Sequence, residues 1–343
     1  MIHIELSNGG DTPTTPTSSV GEVIYPPVSA SENRKKGIFP SVVTMPADLY
    51  SLAREFQDIP LDPLTTRISV RYFVENQALA GLNQEERRAL SPYLEGAIKL
   101  EGVDNAFQDC SIIYLGKNAE TRHTNLDIFA AEIQIAQDIF RNEPVRQRRD
   151  YTGFTFREIT HEDKLNPQII DQYVQLYRAF GWTPREVEKI VQNPTNILLG
   201  AFVNNQLISA GMAERAEFII NRNGNALSFV MHEVTEAATQ YEYRGRGLYT
   251  QVASELMKLL AKTDTHFIYG ESNLGSEAVI RAAHSLGRIS SIDTLREFGF
   301  LPRVLEQHVR ISGGPNDNRP PEEKNDLLPT YMTRTKLLRC AYE

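Results

Sequence analysis

Cysteine is scarce in this chain: its 343 residues include two, Cys110 and Cys340, which stand far apart. Such a pair provides neither a disulfide framework nor a zinc-ligand spacing, and free thiols are typical of a reducing compartment. Long apolar runs are lacking too, since none approaches the roughly 20 residues that span a bilayer. The first residues lack the charged-then-apolar pattern of a secretory signal. These absences predict a cytoplasmic protein without a metal site or a membrane partner.

An excess of positive charge is also missing, with 36 Lys and Arg against 44 Asp and Glu and a net charge of -8. Because no large positive field exists to gather nucleic acid, a nucleic-acid partner is not expected. A cationic amine is weakly favoured near such a surface. The sequence holds no Gly-x-Ser-x-Gly elbow and no Cys/His pairing, which argues against a covalent nucleophile.

Composition divides the chain into three parts. Residues 1–38 contain a stretch rich in Gly, Thr, Pro and Ser that cannot offset its ordering entropy, so they are predicted to be disordered. Residues 39–150 are predicted to form an α+β region of unknown role, either an independent small domain or an extension packed on the remainder, 151–343. Its predicted elements are helices over 47–56, 84–100 and 125–140 and a strand over 111–115. A basic run over 146–149 is interpreted as a solvated linker rather than a ligand site.

The most informative stretch is a basic glycine turn between an apolar strand and an amphipathic helix. The strand covers 226–239, the turn contains Gly245 and Gly247 between arginines, and the helix covers 248–262. The unsatisfied N–H groups and the dipole of a helix N-terminus favour an anion such as a diphosphate. Glycines let the backbone approach that anion without a Cβ in the way. A similar turn also occurs in loops that bind nothing, so the flanking elements matter.

The flanks alternate between strand and helix patterns. Two apolar runs separated by Asn204 and Asn205, a pair that tolerates positive φ, predict a hairpin. Thr183 with Pro184 and Glu186 forms a capping box that starts a helix. The other predicted elements are a strand over 154–159, a helix from Pro167, a strand over 265–271, a helix over 276–284, and final strands over 301–311 and 331–338. A polar, proline-bearing insert over 313–326 is predicted to be a surface loop.

The turn and this order of elements resemble the GNAT superfamily of acetyl-CoA-dependent N-acyltransferases, over a little more than half of the chain. Tyr249 departs from the family pattern, where Gly or Ala is usual. Residues 233–248 and 281–287 are also similar to beta-lysine N-acetyltransferases, which favours a small amino-acid-like or polyamine acceptor. The resemblance implies an α+β fold, in which a mixed sheet flanked by helices occupies the C-terminal half.

The resemblance also implies a binding site for acetyl-CoA, or another acyl-CoA, as co-substrate. Backbone groups at Ala238 and Thr239 match the positions that pair with the pantetheine arm, and Asn273 matches an Asn that bonds it. The expected diphosphate-binding residues are Arg244, Gly245, Arg246, Gly247, Leu248 and Tyr249.

Acyl transfer needs a base, because a lysine-like amine with a pKa near 10.4 is protonated at neutral pH. We expect Glu233 to act as base or to position a water, and Glu236 to hold the ammonium of the acceptor. Alternation places the two on opposite faces unless a bulge intervenes, and either could be a solvated strand residue.

One departure concerns the acid that protonates the leaving thiolate. Many family members carry a Tyr where this chain has Leu295. Tyr249, Tyr269 and His284 are candidate substitutes, although each fits packing better. The aromatic residues 177, 180 and 182 could wall the acceptor cleft or belong to the core.

Three functions remain open from the sequence. The first is an N-acyltransferase acting on a small amine, with no metal and with a homodimer possible. The second is a catalytically weak module that binds or senses CoA or acyl-CoA, which the missing tyrosine favours. The third is a protein N-acetyltransferase, whose N-terminal part would dock the partner protein.

Overall fold

A computed structural model describes residues 22–24, 42–44, 48–58, 67–101, 106–118, 126–144, 149–222, 225–310 and 322–342. These residues form two β-sheets with helices packed on them, and the predicted α+β class with a mixed sheet flanked by helices is confirmed. No helix in these ranges is long and apolar enough to cross a membrane.

The elements of the N-terminal part are β1 (Glu22–Ile24), β2 (Val42–Thr44), α1 (Leu49–Asp58), β3 (Arg67–Glu75), α2 (Asn76–Ala80), α3 (Gln84–Leu90), β4 (Leu94–Lys99), β5 (Cys110–Asn118) and α4 (Leu126–Arg141). Four of these strands form an antiparallel sheet in the order β1-β3-β5-β4. Strand β2 instead joins the larger sheet, where it pairs in parallel with residues 219–221.

Two expectations for this part need correction. Within the segment predicted to be disordered, residues 22–24 form a strand, because the edge of β3 offers them unpaired backbone groups; the rest of that segment lies outside the described residues. The helix predicted over 84–100 ends at Leu90, and 94–99 is strand β4. Pro92 explains the break, since proline has no backbone N–H to donate to the next helical hydrogen bond.

The elements of the C-terminal part are β6 (Thr155–Glu158), α5 (His161–Leu165), α6 (Pro167–Arg178), α7 (Pro184–Gln192), β7 (Ile197–Val203), β8 (Gln206–Arg222), β9 (Asn225–Thr239), α8 (Leu248–Leu260), β10 (Phe267–Asn273), α9 (Glu277–Ser285), β11 (Ile289–Ser290), α10 (Ser291–Glu297), β12 (Leu305–Arg310), β13 (Glu322–Thr333) and α11 (Arg334–Tyr342). Their strands build most of the nine-stranded mixed sheet, in the order β11-β13-β10-β9-β8-β7-β6 with β12 beside β13.

Local signals set several of these boundaries as predicted. Asn204 and Asn205 turn the β7–β8 hairpin with φ of 48° and 63°. The capping box at Thr183 is formed, and proline opens both α6 and α7. The strand predicted over 331–338 is wrong in its second half, because α11 begins at Arg334 and buries Leu337 against α8. Part of the predicted loop over 313–326 is strand β13, and 311–321 lie outside the described residues.

The two faces of the large sheet are covered differently. Helices α8 and α11 pack on the face that carries Val234 and Ile268. The opposite face carries Phe229 and Tyr269, whose side chains share a core with residues of the N-terminal sheet such as Tyr114. Helices α6 and α7 pack on this second face farther along, against Met212 and Ala238. The N-terminal part is thus joined to the face opposite α8.

Candidate active site

The predicted turn lies between β9 and α8 and depends on two glycines. Gly245 and Gly247 have φ of 74° and 75°, in the left-handed region that favours glycine. A Cβ at Gly247 would lie 2.8 Å from the Arg149 side chain, whereas one at Gly245 would meet nothing within 4 Å. Glycine at 247 therefore suits the positive φ, and its missing side chain leaves room for the exposed end of Arg149.

Three arginines surround the turn. Arg149 Nη1 donates to the Gly245 carbonyl oxygen at 2.7 Å, and Arg244 Nε donates to the Thr239 carbonyl oxygen at 3.2 Å. The Arg246 guanidinium lies 5.3 Å from the centre of a tyrosine ring. All three side chains are exposed. Arg149 belongs to the basic run interpreted as a linker, and its role at the turn, 96 positions away, has no local sequence signal.

The first turn of α8 presents backbone N–H groups beside these arginines. Gly247 is the N-cap residue and has no side chain to accept from them. Its carbonyl accepts from Gln251 N at 3.1 Å and from the Tyr151 hydroxyl at 3.2 Å, which fixes the start of the helix. Leu248 is buried in the core and anchors the same turn. The first N–H groups of a helix have no intrahelical acceptor, so they can bind an anion.

Strands β9 and β10 part beside this helix. They pair in parallel over 231–233 and 267–269, and Glu233 with Tyr269 is the last pair. Beyond it, β9 continues along β8 to Thr239, and β10 continues along β13 to Asn273. We call the opening between residues 234–239 and 270–273 the fork. Its two strand edges face each other with backbone N–H and C=O groups that an extended ligand can pair with.

A bulge in β9 lies within the fork. The register between β8 and β9 shifts between Ala210 and Met212, so that Gly211 faces two residues of β9. Glu236 lies in this bulge, which removes the simple alternation that separated it from Glu233. The structure describes the backbone of Glu236 but not its side chain.

The expected pantetheine-binding residues occupy both strand ends of the fork. Ser209 Oγ lies 3.0 Å from the Ala238 carbonyl oxygen and 2.8 Å from Thr239 Oγ1, which fixes the end of β9. Asn273 ends β10, and its Oδ1 accepts from Gly275 N at 2.9 Å.

Glu233 belongs to a hydrogen-bonded chain that starts in the N-terminal sheet. The Tyr269 hydroxyl donates to Glu233 Oε2 at 2.6 Å and accepts from Arg71 Nη1 at 2.9 Å. Arg71 Nη2 also donates to Glu271 Oε1 at 2.7 Å, in an ion pair whose side chains are both buried. Burial raises the pKa of Tyr269 well above its usual value, so its hydroxyl remains a donor. No sequence pattern connects Arg71 with this site.

Leu295, at the position where the resemblance expects an acid, and His284, one of the candidate substitutes, both lie elsewhere. Leu295 is fully buried in a cluster with Leu90 and Leu94 of the N-terminal part, so its position supplies no group to the fork. His284 packs edge-on against Phe140 at 5.1 Å, and burial lowers its pKa. Both residues serve packing.

The aromatic residues of α6 and the following loop divide between core and surface. Tyr177 is buried, with its ring 6.1 Å from Tyr173 and 5.4 Å from Trp182. Phe180 is 40% exposed, and the Arg244 guanidinium lies 5.3 Å from its ring centre. Phe180 therefore borders the basic turn.

Among the described residues, no three His, Cys, Asp or Glu side chains are grouped closely enough to hold a metal ion.

Comparisons with known proteins gave matches among solved structures. No protein-family model and no curated protein matches the chain. An N-acetyltransferase from Staphylococcus aureus Mu50 is similar with 9% identity and a TM-score of 0.37, over 53% of this chain and 98% of that one. Arabidopsis thaliana NAA60, solved with acetyl-CoA, has 14% identity and a TM-score of 0.39, over 52% and 98%. An aminoglycoside 6'-acetyltransferase type Ii has 17% identity and a TM-score of 0.35, over 52% and 97%.

Proposed function

We propose that this chain is an N-acyltransferase that moves an acetyl or other short acyl group from CoA to the amine of a small amino-acid-like or polyamine acceptor. The observation that carries the proposal is the fork, which opens beside the glycine turn and the N-terminus of α8. An anion-binding helix end next to two free strand edges suits a ligand with a diphosphate at one end and an extended, amide-bearing arm.

Each part of the acyl donor has a complementary set of groups. The diphosphate binds the first-turn amides of α8, with Arg149, Arg244 and Arg246 around it. The arm extends along Ala238 and Thr239 towards Asn273 on the other strand. The thioester then lies near Glu233, at the closed end of the fork.

Glu233 is the base in this proposal. The Tyr269 hydroxyl holds Oε2 of its carboxylate, which leaves Oε1 to accept a proton from the acceptor ammonium, directly or through water. The neutral amine then attacks the thioester carbon. The carboxylate of Glu236, in the neighbouring bulge, binds the positively charged ammonium of the acceptor.

The packing of the N-terminal sheet on the large sheet supports a small acceptor rather than a protein. The face that carries Tyr269 is packed against the N-terminal sheet, and Arg71 from that sheet reaches Tyr269 itself. A folded protein surface has little room to approach Glu233 from this side. The net charge of -8 also suits a cationic amine.

A second candidate is a module that binds CoA or acyl-CoA without turnover. The burial of Leu295 away from the fork favours it, because the position that the family resemblance assigns to an acid supplies no hydroxyl there.

Two measurements test the proposal. Isothermal titration with acetyl-CoA and with CoA measures binding, and a thiol-release assay across lysine, beta-lysine, polyamines and peptide N-termini measures turnover. Binding with turnover on small amines is the expected result. Turnover on peptides alone would favour the protein acetyltransferase, and binding without turnover would favour the sensor. No binding at millimolar ligand would refute the proposal.

A further inference from the structure

Arg288 is a buried cation whose hydrogen-bonding capacity is mostly unused. Residue 288 follows α9 and directly precedes β11 in the chain, and it is 4% exposed. Nη1 lies 3.3 Å from Thr330 Oγ1, while Nε and Nη2 have no hydrogen-bond partner among the described residues. A buried charge without partners is expensive for a folded protein, so such a group calls for a functional explanation.

The guanidinium lies where the fork closes. Gly270 and Val234 are the first residues beyond the last pair of β10 and β9. A Cβ at Gly270 would overlap Arg288 Nη1 and would lie 2.7 Å from the Val234 carbonyl oxygen. The absence of a side chain at Gly270 thus allows Arg288 to reach the point at which the two strands part.

Arg288 and the proposed base approach this point from opposite sides. Consecutive strand residues point to opposite faces, so the side of Gly270 that meets Arg288 is opposite to the Tyr269 side chain, which binds Glu233. Burial lowers the pKa of Arg288, and Tyr249 and Glu233 act in the opposite direction. Because the ordinary pKa of arginine is above 12, the guanidinium keeps its charge.

We propose that Arg288 binds the sulfur that leaves the acyl carbon and stabilises it as a thiolate; this inference rests on the proposed function. The amine nitrogen forms a bond to the acyl carbon, the carbon–sulfur bond breaks, and the sulfur takes the electron pair. Glu233 releases the ammonium proton to water before this step, so it can take the proton that the nitrogen loses as the amide forms, and the thiolate later takes a proton from water. Nε and Nη2 donate to the sulfur as its charge develops.

Arg288 and Glu233 lie on opposite sides of the sheet, and this placement favours the leaving sulfur over other anions as the ligand of Arg288. An amine that loses its proton to Glu233 enters from the Tyr269 side of the sheet. The bond that breaks then lies towards the α8 side, where Arg288 is. A carboxylate of the acceptor would have to pass the acyl carbon to reach the same guanidinium.

The test removes either the sulfur or the guanidinium. Binding of CoA and of desulfo-CoA, which lacks the sulfur, is measured by titration at pH 8.5, close to the ordinary thiol pKa of about 8.5. The wild-type protein is expected to bind CoA about tenfold or more tightly than desulfo-CoA. Arg288→Met is expected to bind both equally, and Arg288→Lys to retain part of the preference. In turnover, Arg288→Met lowers kcat by roughly 10²–10³-fold and leaves the KM for acetyl-CoA nearly unchanged.

Arg281→Met is the matched control, because Arg281 is an exposed arginine of α9 that pairs with Glu277 at 2.6 Å. It should retain the wild-type preference and kcat.

Thermal unfolding checks the fold: Arg288→Met should keep or raise Tm, since an unpaired buried charge is removed. A preference that survives in Arg288→Met, a lowered Tm, or equal wild-type binding of both ligands would overturn the inference. The proposed function fails separately, by an absence of CoA binding to the wild type.

Discussion

The hydroxyl of Tyr269 donates a 2.6 Å hydrogen bond to Glu233, and the two residues form the last register pair of the parallel strands β10 and β9. Because burial keeps the phenol protonated by raising its pKa, the bond fixes one oxygen of the carboxylate. The other oxygen stays available at the point where the strands part. A local pairing of two strands therefore orients the group that we propose as the base.

Removing the charge of Glu233 tests that role. Glu233→Gln keeps the shape and the bond from Tyr269 but cannot take a proton, so kcat should fall by roughly 10²–10⁴-fold. The Kd for acetyl-CoA should be unchanged, since the base does not hold the nucleotide. Thiol release and titration measure the two quantities.

A matched control for this change is Glu217→Gln on β8, which removes an exposed carboxylate that pairs with Arg215. It should leave both quantities unchanged. An equal loss of activity in both variants would contradict a specific role for Glu233.

The glycine turn predicts a difference between two similar substitutions. Gly247→Ala and Gly245→Ala both strain a positive φ, by about 1–2 kcal/mol each. Only the Cβ at position 247 meets Arg149, so Gly247→Ala should raise the Kd for acetyl-CoA more than Gly245→Ala does. Gly247→Trp should abolish binding. Unchanged affinity in Gly247→Trp would show that the diphosphate binds elsewhere.

Arg149 predicts a salt-dependent contribution to binding. Arg149→Gln should weaken acetyl-CoA binding by about fivefold, equivalent to about 1 kcal/mol, at low ionic strength. The difference from wild type should shrink as salt screens the charge. Titration at two salt concentrations measures it. Arg141→Gln, an exposed arginine of α4 paired with Asp138, should show neither effect.

The buried pair of Arg71 and Glu271 predicts that stability and activity can be separated. Arg71→Met leaves the Glu271 carboxylate buried without this cation and should lower the free energy of unfolding by about 3–5 kcal/mol. Adding Glu271→Gln should recover much of that loss. Turnover should stay low in the double variant, because Tyr269 has still lost its donor. Urea unfolding and thiol release measure the two effects, and full recovery of turnover would contradict the proposed chain.

His232 predicts a pH dependence of stability. It is buried with Nδ1 2.9 Å from Thr265 Oγ1, and burial lowers its pKa from 6.5 to about 4, with Arg215 lowering it further and Asp264 opposing. The unfolded chain therefore binds more protons between pH 6.5 and 4. The stabilisation is complete above pH 6.5 and is lost as the pH falls, by up to about 3 kcal/mol.

Urea unfolding of wild type and of His232→Gln at several pH values checks this prediction. The variant should show a smaller loss between pH 6.5 and 4. The lowered pKa of Asp264, about 2, acts below that window and should affect both proteins alike. Equal slopes would show that His232 does not titrate as inferred.

Much of the fold could be predicted because its signals are local. Caps and prolines set the starts of α6 and α7, and the asparagine pair sets the β7–β8 hairpin. Two predictions failed where another constraint was stronger. Pro92 ends a helix that was predicted to reach residue 100, and Leu337 lies in a helix because α8 offers it a buried contact.

The sequence by itself determined the glycine turn at Gly245 and Gly247 and the strand and helix on either side, because backbone angles and caps act within a few residues. Tertiary structure alone decided which side chains meet there. Arg71 lies 198 positions from Tyr269 and Arg149 lies 96 from Gly245, and Arg288 reaches the fork across β13. Contacts over such separations depend on how sheets stack and strands part, which no spacing within the sequence encodes.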